Sequence, residues 1–159
     1  MKKIFIISLI VSFMLNFAEQ LNGQNISTQL KESIELQVDS VFKTMVKAAE
    51  VLDYDKLNQG VDDNRHAGFI SNGTYFEQFD ALIDKVKALS QGITKQALTI
   101  QSKKITALSE QFVILVASVD AKINTASGNQ FTTKFNWSFV YEKFGNSWKV
   151  IHSNQFSQR

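Results

Sequence analysis

The chain has 159 residues, with 17 basic against 15 acidic side chains, a formal charge of +2, no cysteine and no proline. That length suits one domain with a real hydrophobic core and is too short for two. Lack of cysteine excludes disulfides, thiolate metal sites and a cysteine nucleophile, and near-neutral charge gives no general attraction for nucleic acid or an anionic membrane.

The N-terminus reads as a targeting segment. Lys2 and Lys3 precede an apolar run from Ile4 to Phe17, and a polar stretch from Glu19 to Asn25 follows. This is the charged, apolar, polar order of a secretory signal peptide. The run is shorter than the roughly 20 residues that span a bilayer; an uncleaved anchor is the alternative. Gly23 offers the best cleavage point, which makes residues 1–23 the signal peptide and 24–159 the exported domain. No membrane anchor is expected to remain after cleavage.

From Leu30 to Leu52, the residues Leu30, Ile34, Val38, Val41, Met45, Ala49 and Leu52 recur at steps of three and four. That spacing predicts one face of an amphipathic helix, with Lys31, Glu35, Lys43 and Lys47 largely off it and solvated. Asp53 begins a short second helix that closes at Gly60. Asp62-Asp63-Asn64 is turn chemistry, Ala67 to Ser71 can extend, and Asn72-Gly73 favours a tight turn. Thr74-Tyr75-Phe76-Glu77 has the spacing of a capping box. A third helix is expected after it, burying Phe76, Phe79, Ile83 and Val86 and ending at Gly92.

Beyond Gly92 the apolar period changes to two. Gln96 to Leu108 reads as a strand bent near Ser102-Lys103-Lys104. Gln111 to Ile123 is a longer one, with Val113, Leu115, Ala117, Val119, Ala121 and Ile123 on one face and Phe112, Ile114 and Val116 opening the other. Phe131 to Lys143 alternates again, Gly145-Asn146-Ser147 makes a hairpin turn, and Trp148 to Phe156 completes it. Alternation puts His152 on the side of Trp148 and Val150. Helices followed by a meander of long strands is the α+β pattern.

The segment from Phe135 to Asn154, with its turn at Gly145 and its return as Trp148-Lys-Val-Ile-His152, resembles the terminal hairpin of nuclear-transport-factor-2-like (SnoaL-like) proteins. The long first helix, the Asp53 helix start and the Asn72-Gly73 turn are similar in order. The resemblance implies N-terminal helices packed in a strongly curved antiparallel sheet, a cone-shaped α+β barrel with a pocket at its open end. It also implies a homodimer through the second face of the sheet.

Members of that family include isomerases, dehydratases, cyclases and binding or assembly modules, so the fold does not choose a function. The candidate pocket residues are Tyr54, Asp62, Asp63, His66, Tyr75, His152 and Asn154. Carboxylate, imidazole and phenol are the groups whose proton affinity an apolar pocket can tune. Each has a structural alternative: a solvated turn for Asp62 and Asp63, with Arg65 a surface charge beside them, helix-start packing for Tyr75, and a strand or wall contact for His152. Asn154 falls where several family members carry a second histidine, and it cannot titrate. Two histidines cannot complete a zinc site without carboxylates, so no metal is expected. No cofactor fingerprint occurs, and no cofactor is expected. The functional expectation is an exported, non-catalytic module that binds a small apolar ligand or a protein partner. The alternative is a cofactor-free isomerase, dehydratase or cyclase using Asp62 or Asp63 with His66, His152 or a tyrosine.

Overall fold

A computed structural model describes residues 26–158; the proposed signal peptide lies outside them. Helix α1 (Thr28–Glu50) is followed by the short α2 (Tyr54–Gln59), strands β1 (Phe69–Ser71) and β2 (Thr74–Phe76), helix α3 (Phe79–Leu89), and four long strands. These are β3 (Ile93–Ala107), β4 (Phe112–Thr125), β5 (Gln130–Phe144) and β6 (Ser147–Gln158). Ser27 caps α1, its hydroxyl accepting the Leu30 N–H at 3.3 Å, and Asp53 caps α2 through the Lys56 N–H at 3.0 Å. Both use a short side-chain acceptor to satisfy a donor that the first helical turn leaves unpaired.

The six strands form one curved, unclosed sheet in the order β2-β1-β6-β5-β4-β3. Helices packed in a curved sheet are as expected, and one pairing departs from the antiparallel pattern: β1 runs parallel to β6, with Phe69 opposite Ser153, so the sheet is mixed. Its parallel course begins earlier, because Val61 already bridges Val150 in the same sense and the Asp62 N–H donates to the Val150 carbonyl at 2.9 Å. Thr74 to Phe76 is also a strand, pairing antiparallel with β1, and no capping box forms. The start of α3 instead uses Asp63, whose Oδ2 accepts the Phe79 N–H at 3.2 Å.

The core lies between the sheet's inner face and the helices. From α1 come Ile34, Val38, Phe42 and Val46; from β4, Val113, Leu115, Ala117 and Val119; from β5, Phe139 and Tyr141; from β6, Trp148 and Val150. Phe42 sits edge-on to Trp137, with centroids 6.2 Å apart, and tilts against Phe139 at 6.1 Å. Aromatic contacts of this kind add to the area they bury. Burial also pushes the Tyr141 phenol well above its ordinary value, and its hydroxyl lies 3.8 Å from the Met45 sulfur.

The polar side of α1 is not simply solvated, contrary to the periodicity argument. Glu35 is half-buried, and its Oε1 accepts the Ala107 N–H at 3.2 Å. Glu50 accepts the Leu98 N–H at 2.8 Å. Between them Asp39 pairs with Lys103, and also with Lys43 at 2.8 Å. Lys103 points inward because a register shift between Ile100 and Ser102 places it opposite Ala117.

Burial acts to raise the Asp39 carboxyl, but hydrogen bonds and charge from Lys103 and Lys43 outweigh it and hold the group below its ordinary value. A carboxyl that titrates lower in the folded protein contributes stability in full above its unfolded value, near pH 4, and loses it as pH falls through the folded value. Asp39→Asn should therefore lower stability by about 1–3 kcal/mol at neutral pH. Urea denaturation across pH should show the gap from wild type constant above about pH 5 and closing below about pH 4. A gap independent of pH down to that range would contradict the pairing.

Candidate functional site

Asp62, Asp63 and His66 lie on the segment between α2 and β1, and His152 and Asn154 on the strand beside it. Two hydrogen bonds at 2.9 Å sew this segment to β6, from Val150 N–H to Gly60 O and from Asp62 N–H to Val150 O. Asp62 closes its own turn, with Oδ1 accepting both the backbone N–H and the side-chain amide of Asn64 at 3.0 Å. Asp63 spans to α3, and its carbonyl accepts the His66 N–H at 2.9 Å. His66 is exposed and takes a φ of 51°, the left-handed conformation that lets the segment turn back.

Arg65, expected as a surface charge, leaves this turn to meet Glu142 of β5. Its Nε donates to Oε2 at 2.9 Å, and its terminal nitrogen to Oε1. Glu142 is only 4% exposed. A planar guanidinium matches both oxygens of a carboxylate at once, so this one contact pins the segment against the outer face of the sheet. Glu142 raises the Arg65 guanidinium further above its already high ordinary value. Glu142 was not distinguished in the sequence: an acidic residue between Tyr141 and Lys143 reads as an ordinary outward strand position, and nothing local signals a partner 77 residues away.

His152 is on the outer face, not beside Trp148 and Val150. The β5–β6 register shifts at Val140/Tyr141: Val150 pairs with Tyr141 and His152 with the adjacent Val140, leaving Ile151 as the extra residue. Such a bulge reverses the facing of every side chain after it. Trp148 and Val150 remain in the core, while His152 and Asn154 turn outward. The imidazole Nδ1 lies 2.7 Å from the Gly68 carbonyl and 3.3 Å from that of Ala67. A carbonyl only accepts, so these contacts assign the proton to Nδ1.

The two tyrosines have separate places. Tyr54 shares a short hydrogen bond with the Ser90 hydroxyl, tying α2 to the end of α3, and Lys87 lies 5.6 Å over its ring. Tyr75 is 61% exposed, and its ring covers Gly68 so closely that a Cβ there would fall 2.2 Å from Cε2. The seven residues thus occupy a turn, a helix junction, a strand edge and the outer sheet face. Among the described residues no three His, Asp or Glu side chains converge as a metal-binding group.

Two surface clefts have the size of small-ligand sites. One, of about 510 Å³, lies on the outer face, where Val116, Ser118, Asn136, Ser138, Asn154 and Phe156 contribute to its lining. Asn154 is the only one of the seven candidates in it. The other, of about 460 Å³, lies between α1, α2 and the β5–β6 turn and includes none of them.

Gly68 and His152 make the local design testable. Gly68 has φ +71° and no room for a side chain under Tyr75, so Gly68→Ala should cost at least about 2 kcal/mol through strain and overpacking. His152→Ala should cost roughly 1–2 kcal/mol by leaving the buried Gly68 carbonyl without its donor, and His152→Gln, which can still donate, should cost less. Melting temperatures that do not move in any of the three would refute this description of the strand edge.

No family model and no curated protein sequence matches the chain. Solved structures do. A candidate scytalone dehydratase from Novosphingobium aromaticivorans superposes with a TM-score of 0.72 over 84% of this chain and 89% of its own, at 9% identity. A nuclear transport factor 2-like superfamily protein from Salmonella enterica gives 0.69, over 78% and 90%, at 12% identity. A ketosteroid isomerase-like protein from Erwinia carotovora gives 0.63, over 79% and 96%, at 11% identity. At these identities the likeness speaks for backbone architecture alone, and on that evidence the chain has the nuclear-transport-factor-2-like fold.

Proposed function

We propose that the chain is an exported, non-catalytic binding module that meets a protein partner, a second copy of itself, through the outer face of its sheet. The observation that carries this reading is the outer-face groove. Val116 is 42% and Phe156 53% exposed on it, among hydroxyl and amide side chains, with Lys103 and Lys104 along its β3 side. Exposed apolar side chains within a polar rim suit association between proteins. Export rests on the order Lys2-Lys3, Ile4–Phe17, Glu19–Asn25.

A small apolar ligand in the cone that the family resemblance implies would sit between α1 and the sheet. Phe42, Phe139 and Tyr141 are buried there and pack on one another. This favours the protein-interaction half of the reading over the small-molecule half.

The enzymatic alternative, a cofactor-free isomerase, dehydratase or cyclase, draws on the names of two of the similar structures. It needs Asp62 or Asp63 to face an imidazole or phenol across one cavity. Each of those carboxylates instead accepts a backbone N–H in its own turn or at α3, and His152 is held by backbone carbonyls. Groups fixed in this way are poorly placed to exchange protons with a substrate.

Light scattering of the mature protein at micromolar concentration should give about twice the monomer mass. Val116→Asp and Phe156→Asp, both at exposed strand positions, should each yield monomers while altering folding stability by about 1 kcal/mol or less. A wild-type protein that stays monomeric through a wide dilution series would overturn the proposal.

A further inference from the structure

We propose that the cleft between α1, α2 and the β5–β6 turn binds a small hydroxylated organic anion, its carboxylate or phosphate held by Lys56 and Lys149. This site is separate from the outer-face groove and does not depend on the association proposed above. The cleft encloses about 460 Å³, and no carboxylate lines it. Two cations in one concavity whose lining carries no carboxylate create a local positive potential despite the near-neutral chain, although Glu142 stands opposite Lys149 in the β5–β6 register and Asp55 precedes Lys56.

The lysines are set differently. Lys149, half-buried, donates to the Gln59 carbonyl, which fixes its ammonium at the rim with donors to spare, since an ammonium has three. Lys56 is exposed in the first turn of α2, a segment capped by Asp53 through the Lys56 N–H. The nearest buried carboxylate on the adjoining strand, Glu142, is already occupied by Arg65. An oxyanion is therefore the partner that both ammonium groups lack.

The remaining walls supply hydrogen-bonding capacity. Ser40, Gln59, Asn146 and Ser147 bring side-chain hydroxyls and amides to the cleft, and no hydrogen bond within the chain engages these side chains among the described residues. Thr44 and Gln37 are engaged. The Thr44 hydroxyl donates to the Ser40 carbonyl at 3.1 Å, and Gln37 Oε1 accepts the Trp148 indole N–H at 3.1 Å, which holds the buried Trp148 ring in place as an apolar floor beside Met45. Cations at one end, uncommitted hydroxyls and amides along the wall and an apolar floor match a ligand with an anionic head and several hydroxyl groups. A purely apolar ligand would leave those polar groups desolvated and unpaired.

The test is an amide-resonance titration of the full mature chain with gluconate, glucose 6-phosphate and neutral glucose. Gluconate or glucose 6-phosphate should move the amides of Gln59, Gly60 and Asn146 to Lys149 saturably, and whichever binds tighter identifies carboxylate or phosphate as the preferred head. Glucose should bind at least about tenfold more weakly, the value of one lost charge-assisted hydrogen bond. Lys56→Gln, at an exposed position, should weaken the anion by about tenfold with the rest of the spectrum unchanged. Lys149→Gln should weaken it further. The proposal is overturned if glucose binds as well as the anions or if Lys56→Gln has no effect. It is equally overturned if no anion moves these amides at about 10 mM, where a millimolar site would be nine-tenths full.

Discussion

The strand at the far edge of the sheet, β3, is held closed by the first helix, and the rest of the structure depends on that seam. A 15-residue edge strand presents a row of unpaired backbone donors and acceptors, a hazard for any soluble sheet. Here α1 lies along it. Glu35 and Glu50 accept N–H groups of Ala107 and Leu98, Asp39 pairs with Lys103, and the Gln96 amide donates to the Ala49 carbonyl. The acceptors at positions 35, 39 and 50 fall on one helical stripe, a single residue round from Ile34, Val38 and Ala49. One helix thereby fills the core with one stripe and seals the sheet with its neighbour. Glu50 at the helix C-terminus is disfavoured by the helix dipole; the Leu98 N–H offers it compensation.

That seam orients the rest. With β3 fastened to α1, the sheet's inner face is committed to the helices and its outer face is left for other uses. The opposite edge is the three-residue β2, too short to recruit a long strand. Near that edge, the segment from Gly60 to Gly68 is fixed by the buried Glu142 and by the His152 contact with Gly68. Of the candidate pocket side chains, Asp63 and His152 are hydrogen-bonded between segments. The open surfaces are the groove on the outer face and the cationic cleft beyond the β5–β6 turn.

Much of the architecture is legible in the sequence because its signals are periodic and local. The α1 stripe, the alternation of β4 and β5, the Asp53 cap and the Gly145 turn each follow from residues within a few positions of one another. The Ile151 bulge is not legible in this way: Trp148, Val150 and His152 alternate perfectly, and only pairing with β5 reveals the extra residue. The same holds for the parallel course of β1 and for Arg65 meeting Glu142, long-range contacts that overrule local preference. Thr74 to Phe76 differs: it pairs with β1 across the Asn72-Gly73 turn, so a local hairpin prevails over the capping-box spacing. The seam itself lay half in view. Glu35 lies off the apolar face, where polarity alone points to solvent, but the edge of β3 runs beside it and takes its carboxylate.

Hydrogen exchange at the Leu98 and Ala107 amides tests the central claim most directly. Both belong to an edge strand, so without α1 they would face solvent. If the carboxylates of Glu50 and Glu35 seal them, both amides should be strongly protected in the native protein. Glu50→Ala should then release Leu98, and Glu35→Ala should release Ala107, each with little change at the other site. Rapid exchange of both amides in the wild-type protein, or protection that survives both substitutions, would contradict the account.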